Sequence, residues 1–341
     1  MSTIRIASSV VGRSLAQPEK PLNLWLWGPP GVGKSSIVRA EAEKLGLPYI
    51  DFRGVTCEPT DVRGFPTVEG GVVRWARPEF LPAEGEGVLF LDELGQAPGL
   101  VQAALLQLTL DRCIGEHRLP DGWRIIAASN RQEDRAGVGR LNSALLDRFV
   151  HVDIEVSLEE WQEWALGGGI RGEVRSFLNF RPKLLSAFDA TERTTPTPRS
   201  WATASRILEI YGDDEQLLNT TLAGAVGSGA AAEFSAFLRT WDRLPTLDEI
   251  RADPDAIPIP DDPGLLYAFA GLPAGHAGKT DKTTTEALCR LVLRLPVEFA
   301  IVALRDLLKL VPGRALKVPA VRDFLRSNRD LIAGPEEQVA A

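Results

Sequence analysis

Residues 28–35 combine glycine, lysine and serine in an order suited to binding a phosphate group. Their sequence, GPPGVGKS, fits the pattern G-x-x-x-x-G-K-[ST] and stands between the apolar run LWLW and a helical pattern. Glycines let backbone N–H groups curl around phosphate oxygens, and a helix N-terminus adds a partial positive charge. We expect Lys34 to reach the β and γ phosphates of a nucleotide and Ser35 to ligate Mg²⁺. The alternative is a tight strand-to-helix turn without a ligand.

Two adjacent carboxylates, Asp92 and Glu93, follow the apolar run GVLFL. Placing two carboxylates at the end of a buried apolar strand costs free energy unless a cation is near. Asp92 is placed to hold Mg²⁺ through water, and Glu93 to polarise an attacking water, which favours hydrolysis. Alternatively, the pair begins a helix, where the helix dipole favours acidic residues.

Three further polar residues follow in the chain. Asn130 ends the run RIIAAS and either orients the same water or forms a turn. Arg148 either makes a surface ion pair with Asp147 or stabilises a phosphoryl-transfer transition state. Arg199 lies in the first turn of a predicted helix, where the dipole disfavours a cation unless an anion compensates. The guanine-reading motif N-K-x-D does not occur, which favours ATP.

Five short apolar runs in the first 156 residues are typical of buried strands. They are LNLWLW (22–27), PYIDFRG (48–54), GVLFLD (87–92), WRIIAAS (123–129) and FVHVDIE (149–155). Between several of them lie helical patterns, among them SSIVRAEAEKLG and LVQAALLQLTLDR. Continuous apolar strands separated by helices predict an α/β fold, with a parallel sheet covered on both faces.

After residue 156 the strand pattern stops. Ser157 and Glu160 have the spacing of a capping box, which predicts a helix start. Further helices are predicted at 171–188, 198–211, 214–241, 283–295, 297–310 and 318–332. The stretch 244–281 is rich in Pro, Asp and Gly, so we expect an ordered connector or a flexible linker there. The predicted divisions are an α/β domain at 1–156, a helical domain at 157–243 and a helical extension with the linker at 244–341.

The composition is that of a soluble globular protein, with 341 residues, 44% hydrophobic and 25% charged. The net charge of −8 disfavours broad binding to phosphate backbones, so nucleic acid is not the expected partner. Three cysteines without a CxxC pair argue against disulfides and zinc, and favour a cytoplasmic protein. The N-terminal stretch lacks the apolar core of a signal peptide, and no run approaches the roughly 20 apolar residues that span a bilayer.

The motifs GPPGVGKS, LFLDEL, AASN, LLDRF and TPRS resemble, in their order over about residues 20–210, those of an AAA+ ATPase, most closely the MoxR group. The resemblance implies a P-loop NTPase module with a five-stranded parallel sheet, an all-α lid, and a homo-oligomeric ring, usually of six subunits, with ATP and Mg²⁺ at each interface. It departs from the family at Gly95 and Gln96, where members often have Asn-Arg.

The resemblance also implies a role for each site residue. Arg148 looks like the arginine finger supplied in trans, Arg199 like the lid arginine that senses the γ-phosphate, and Asn130 like the first sensor. The residues expected to act in catalysis are Lys34, Glu93, Asn130 and Arg148, and those expected to ligate Mg²⁺ are Ser35 and Asp92. The residues expected to bind the nucleotide are Gly28, Pro29, Pro30, Gly31, Val32, Gly33, Lys34, Ser35, Ser36, Asp92 and Arg199.

Two segments predict β-hairpins that are similar to insertions of this group. They are 61–82, with TVEGGVVRW around a Gly-Gly turn, and 113–125. Both are candidates for contact with a partner, or else surface loops without a role. The sequence therefore predicts a Mg²⁺-dependent ATPase that remodels a protein partner, by resemblance one with a von Willebrand factor A (VWA) domain. The alternatives are a DNA-acting motor or loader and a nucleotide-gated scaffold with little turnover.

Overall fold

A five-stranded parallel sheet confirms the fold predicted from the sequence, and its strands lie in the spatial order Tyr49–Arg53, Gly87–Asp92, Trp123–Ser129, Leu24–Trp27 and Val150–Asp153. The computed structural model describes residues 3–17, 19, 22–131, 142–189, 191–276 and 281–329. All five predicted strands are present, each within two residues of its predicted bounds. The strands are β1 Leu24–Trp27, β2 Tyr49–Arg53, β3 Pro66–Glu69, β4 Val72–Trp75, β5 Gly87–Asp92, β6 Cys113–Ile114, β7 His117–Arg118, β8 Trp123–Ser129 and β9 Val150–Asp153.

Helices connect several of these strands, and the second half of the described chain consists of helices joined by loops and turns. In the first half they are α1 Ile4–Leu15, α2 Lys34–Lys44, α3 Pro59–Arg63, α4 Gly99–Asp111 and α5 Ser143–Leu146. In the second half they are α6 Leu158–Gly167, α7 Gly172–Phe180, α8 Pro198–Tyr211, α9 Glu215–Val226, α10 Ser228–Trp241, α11 Leu247–Ala252, α12 Pro263–Gly275, α13 Lys282–Val292, α14 Val297–Leu310, α15 Pro312–Ala315 and α16 Pro319–Ser327. None of the described helices has the length and apolar character needed to cross a membrane.

Successive residues of β1 enter two different hydrophobic cores. Leu24 and Leu26 pack with apolar residues of α1 and α2, whereas Trp25 and Trp27 pack with apolar residues of α3 and α4. Strand side chains alternate between the two faces of a sheet, so a continuous apolar run fits a strand that is covered on both sides. The sheet therefore holds the ends of its strands rigidly, which matters because the candidate residues lie at those ends.

The chain divides into two compact units. The first comprises Met1–Glu160 with Phe188–Arg193 and Thr197–Arg199, and the second comprises Trp161–Ala187, Thr194–Pro196 and Ser200–Ala341. In the second unit α12 packs on both α7 and α14, and α11 to α16 share one core. The three-part division at 156/157 and 243/244 stays a prediction.

Two predicted helices are shorter or interrupted. The helix predicted at 171–188 ends at Phe180, because Pro182 begins a separate 3-10 turn over Pro182–Leu185. The helix predicted at 214–241 is two helices, α9 and α10, which meet at Gly227. Its φ of +83° is a left-handed conformation that ends α9.

Of the two alternatives expected for the stretch 244–281, an ordered connector or a flexible linker, the flexible linker is wrong. The stretch contains α11 and α12, and α12 is a core helix of 13 residues with apolar side chains on most of its surface. Helix α12 begins with a proline and has Asp262 as its N-cap, and both residue types are also common in loops. The composition of the stretch therefore resembles that of a loop. Residues 277–280 of this stretch, and residues 330–332 of the helix predicted at 318–332, lie outside the described residues.

Both predicted hairpins are present. Strands β3 and β4 pair around Gly70 and Gly71, whose φ values of +58° and +80° suit a two-residue hairpin turn. Strands β6 and β7 form the second hairpin. The hairpins touch, since His117 Nε2 lies 2.7 Å from the backbone oxygen of Trp75.

Candidate active site

The phosphate-binding pattern folds as a loop from the end of β1 to the start of α2. Gly31 and Gly33 have φ values of +75° and +107°, which side chains with a Cβ rarely adopt. Gly33 is the N-cap of α2 and offers no side-chain cap. The first N–H groups of α2 therefore have no side-chain acceptor at the cap, an arrangement suited to an anion. Val32 is buried in the sheet core and anchors the loop.

Lys34 gathers three oxygen atoms around its ammonium group. Nζ donates to the backbone oxygens of Gly28 and Pro29, at 2.7 and 3.1 Å, and to Asn130 Oδ1 at 2.8 Å. Asn130 follows β8, the neighbour of β1 in the sheet, so parallel strand ends bring the lysine and the amide together. The structure thus joins two residues that lie 96 positions apart in sequence.

Ser35 and Asp92 also meet at the carboxyl ends of the strands. Ser35 Oγ lies 3.4 Å from Asp92 Oδ2. Burial raises the pKa of the Asp92 carboxyl, and the nearby Asp51 carboxylate raises it further. Within the described ranges, no group of three or more His, Cys, Asp or Glu could hold a metal alone. A hydroxyl beside a carboxylate that is costly to ionise nevertheless fits Mg²⁺, which keeps water and phosphate oxygens among its ligands.

Replacing Asp92 with Asn should stabilise the protein in the absence of nucleotide and metal. Because the pKa of Asp92 is raised in the fold, ionisation costs more there than in the unfolded chain. The contribution of Asp92 to the free energy of unfolding is therefore most favourable at acid pH, where the carboxyl is protonated. This contribution is lost as the pH rises through the pKa of Asp92 in the folded protein. At neutral pH we expect the Asp92→Asn melting temperature to exceed that of the wild type by about 2 °C.

Melting curves at pH 4 and pH 7.5 test this expectation. The gain should disappear at pH 4. The matched control is Asp213→Asn, an exposed carboxylate of the second unit. An Asp92→Asn protein that melts below the wild type at pH 7.5 would contradict the expectation.

Glu93 has an unusual backbone conformation for a residue that is not glycine. Its φ is +55°, and its N–H donates to Asp92 Oδ1 at 3.1 Å. The following turn is fixed by the Gly95 N–H, which donates to Ser129 Oγ at 2.7 Å. Ser129 also accepts a hydrogen bond from Trp25 Nε1 at 3.0 Å. The carboxylate of Glu93 accepts no hydrogen bond from the part of the chain that the structure describes.

Arg199 approaches the phosphate-binding loop closely. A Cβ built on Gly31 would lie 3.1 Å from Arg199 Cβ and 3.2 Å from Thr197 Oγ1. Both residues belong to the first unit. Any larger residue at position 31 would therefore push against Thr197 and Arg199. Pro29, Pro30 and Ser36, the remaining predicted contacts, lie in the same loop and in the first turn of α2.

Arg148 lies at the other end of β1 from this loop. Its backbone oxygen accepts from Asn23 Nδ2 at 3.3 Å, and Asn23 directly precedes β1, whereas Gly28 directly follows it. The four residues of β1 span about 13 Å, which is longer than an arginine side chain. The ion pair with Asp147 that the sequence left open is formed, with Arg148 Nη1 at 2.9 Å from Asp147 Oδ2. The guanidinium does not reach the loop of its own chain.

The comparison with known families identifies the segment that carries most of these residues. Residues 23–149 match the family model described as the AAA domain, dynein-related subfamily. This segment is similar to an AAA domain. It contains the phosphate-binding loop, Asp92, Glu93, Asn130 and Arg148, whereas Arg199 lies outside the matched range.

Solved structures similar to the chain include two from bacteria. RuvB from Thermotoga maritima, a Holliday junction branch migration motor, is 17% identical, over 73% of this chain and 74% of that chain, with a TM-score of 0.41. NtrX from Brucella abortus in complex with ATP is 16% identical, over 98% of this chain and 69% of that chain, with a TM-score of 0.40. A comparison with curated proteins found no match.

Four residues of the site were missed by the sequence analysis. Ser129 fixes the turn after Glu93, Asp51 acts on the pKa of Asp92, and Asn23 and His151 contact the backbone around Arg148. A signal for Ser129 existed, because it directly precedes Asn130. The other three are polar residues of strands or strand starts, and their roles depend on which strands are neighbours.

Proposed function

We propose that the chain is a Mg²⁺-dependent ATPase of the MoxR type, which forms a ring and uses hydrolysis to remodel, activate or assemble a protein partner. The observation that carries this proposal is the meeting of Lys34, Asn130, Ser35, Asp92 and Glu93 at one edge of the parallel sheet. The AAA domain match over residues 23–149 supports it. We further propose that the protein acts in the cytoplasm, which is consistent with its free cysteines.

Each residue has a part that follows from its position. Lys34 exchanges its contact with Asn130 and the loop oxygens for contacts with phosphate oxygens, and the N–H groups of the loop hold the same phosphates. Ser35 and Asp92 would hold Mg²⁺, which would neutralise charge on the phosphates. Glu93 accepts a proton from the attacking water, and Asn130 orients that water. Arg199 contacts the γ-phosphate from its position beside Gly31.

Arg148 acts on the site of a neighbouring subunit. Its guanidinium does not reach the loop of its own chain, because the whole of β1 separates Asn23 from Gly28. Arg148 therefore stabilises the transition state at the site of another copy of the chain, whereas Arg199 acts at the loop of its own chain. This geometry supports a ring, for which six subunits is the number implied by the family resemblance.

Assembly in solution tests the ring. The Glu93→Gln protein with ATP and Mg²⁺ should form a closed oligomer in mass photometry, and the wild type should hydrolyse ATP with a rate per subunit that falls on dilution. A wild-type protein that stays monomeric while hydrolysing at its full rate would contradict the proposal. An oligomer that binds ATP without turnover would favour a nucleotide-gated scaffold instead.

The hairpin β3–β4 is the proposed contact with the protein partner. Pro66, Val68, Val73 and Trp75 share one face of the hairpin, because residues 66 and 68 pair with residues 75 and 73. Val68 and Val73 are 75% and 59% exposed. The other face carries Thr67 and Arg74 and is polar apart from Val72. An apolar face at an exposed position is suited to binding a protein, and the VWA-domain partner implied by the resemblance is the first candidate.

Replacing Val68 and Val73 with Thr should weaken partner binding while sparing basal hydrolysis. Threonine keeps the β-branched shape, so the hairpin remains, but the apolar contact is lost. We expect partner affinity to fall at least about tenfold, since burying each valine contributes roughly 1.5 kcal/mol or more. Capture with the Glu93→Gln protein and ATP, followed by mass spectrometry, supplies the partner, and its stimulation of hydrolysis is then titrated.

The control changes the opposite face of the same hairpin with Thr67→Ser and Arg74→Lys. It should leave both affinity and basal hydrolysis within about twofold of the wild type. Unchanged stimulation of the Val68→Thr, Val73→Thr protein would exclude this face as the contact.

A further inference from the structure

Arg148 lies in a segment that has little regular structure of its own. Helix α5 is only four residues long, and Arg148 follows it in a turn in which the Arg148 N–H donates to Leu145 O at 3.1 Å. A guanidinium on such a turn is imprecisely placed unless other groups fix the backbone beside it. The structure contains two side chains that do this, His151 and Asn23.

His151 connects the turn to the sheet through both ring nitrogens. Trp27 Nε1 donates to Nδ1 at 2.8 Å, and Nε2 lies 3.0 Å from Leu146 O. An indole N–H only donates and a carbonyl only accepts, so these partners select the neutral imidazole with the proton on Nε2. His151 is exposed on the edge strand β9, yet both of its nitrogens bind protein groups. That pattern indicates a structural task for the imidazole at this turn.

Asn23 fixes the same turn at Arg148, two residues after the Leu146 carbonyl that His151 contacts. Its Nδ2 donates to Arg148 O at 3.3 Å and to Thr109 O, at the end of α4, at 3.1 Å. The side chain thus connects the backbone of Arg148 to α4. Both acceptors are carbonyl oxygens, so an acceptor in place of the amide N–H₂ would be repelled by both.

The ring of Phe149 completes the support. It is buried and packs edge-on against Trp25, with 5.0 Å between ring centroids, and Trp25 in turn stacks on Trp27 at 4.7 Å. Leu146, Arg148 and Phe149 are therefore each held by a different group. The backbone is fixed on both sides of the Arg148 Cα, while its side chain stays 28% exposed.

We propose that His151 and Asn23 are positioning residues for Arg148, which orient its guanidinium toward the nucleotide of the neighbouring subunit. This inference rests on the proposed function, in which Arg148 acts in trans. A misplacement of about 1 Å can lower a rate by about 100-fold, and loss of one of two supports has a smaller effect. Neither residue contacts the phosphate-binding loop, so ATP affinity should not depend on them.

Two substitutions at position 151 separate hydrogen bonding from packing. His151→Phe keeps a flat ring beside Trp27 and removes both hydrogen bonds, whereas the amide N–H₂ of His151→Gln can reproduce the donation to Leu146 O. In full-length protein we expect His151→Phe to lower kcat about tenfold with KM for ATP within twofold. His151→Gln should retain at least half of the wild-type kcat, and Asn23→Asp should resemble His151→Phe. Equal losses in His151→Phe and His151→Gln, or a tenfold rise in KM, would overturn the proposal.

Mixed oligomers distinguish a positioning role from general damage. A Lys34→Ala subunit lacks a working loop but supplies an intact Arg148, so under subunit exchange it should restore hydrolysis at the intact loops of His151→Phe subunits. General damage to the sheet would not be repaired in this way. The inference is overturned if Lys34→Ala rescues Arg148→Ala but not His151→Phe. If Arg148→Ala alone hydrolyses at the wild-type rate, the trans role in the proposed function fails instead.

Discussion

Arg148→Ala should lose roughly 10³-fold in kcat with little change in ATP affinity. The guanidinium lies beyond reach of the loop in its own chain, so nucleotide binding within one subunit does not depend on it. An arginine finger is worth roughly 10³ to 10⁵ in rate because it neutralises charge that develops only in the transition state. Phosphate release under steady-state conditions measures kcat, and titration with a fluorescent ATP analogue measures affinity.

Two controls make this result specific. Arg148→Lys keeps a positive charge but not the planar fork, so it should recover only a small part of the activity. Arg13→Ala removes an exposed arginine from the last turn of α1 and should behave as the wild type. Mixing Arg148→Ala with Lys34→Ala should recover part of the activity, since each supplies what the other lacks. A mixture that exchanges subunits but stays inactive would exclude action in trans.

Glu93→Gln should abolish hydrolysis, with a loss of about 10² to 10⁴ in kcat, while ATP remains bound. Glutamine has nearly the same shape and cannot accept the proton of the attacking water. The phosphate-binding loop and Lys34 are unaffected, because no described residue connects them to the Glu93 carboxylate by a hydrogen bond. Single-turnover hydrolysis and the rate of ATP release measure the two effects separately.

Glu192→Gln is the matched control, an exposed carboxylate of the same unit that lies outside the site. It should hydrolyse ATP at the wild-type rate. Loss of ATP binding in Glu93→Gln, or hydrolysis within tenfold of the wild type, would exclude Glu93 as the base.

The sequence predicted the central strands β5, β8 and β1 well because buried parallel strands are continuous apolar runs. The edge strands β2 and β9 are present, but most of their residues are exposed or half-buried, so the expectation of burial was wrong for these two. The prediction was wrong where composition and burial disagree. Helix α12 lies in a stretch rich in Pro, Asp and Gly, and its apolar surface is explained only by the packing of α7 and α14 around it. Likewise, the break at Gly227 follows from one left-handed residue within an otherwise helical pattern.

In the candidate site, the sequence predicted the residues that belong to motifs but not the contacts between residues that are far apart in the chain. The motifs identified Lys34, Ser35, Asp92, Glu93 and Asn130, because each stands at a recognisable strand end or helix start. The supporting contacts are distant in sequence. Trp27 and His151 are 124 residues apart, and Asn23 and Arg148 are 125 residues apart. These contacts depend on β9 pairing with β1, which the order of strands along the chain does not reveal.

The left-handed backbone of Glu93 has a consequence for how such a protein evolves. A residue with a Cβ in this conformation costs about 1 kcal/mol relative to glycine, which adopts it without strain. The fold tolerates that cost at the residue proposed to activate water. A lineage that no longer needed turnover would gain thermal resistance by replacing Glu93 with glycine, so the glutamate persists only while selection for activity outweighs selection for stability.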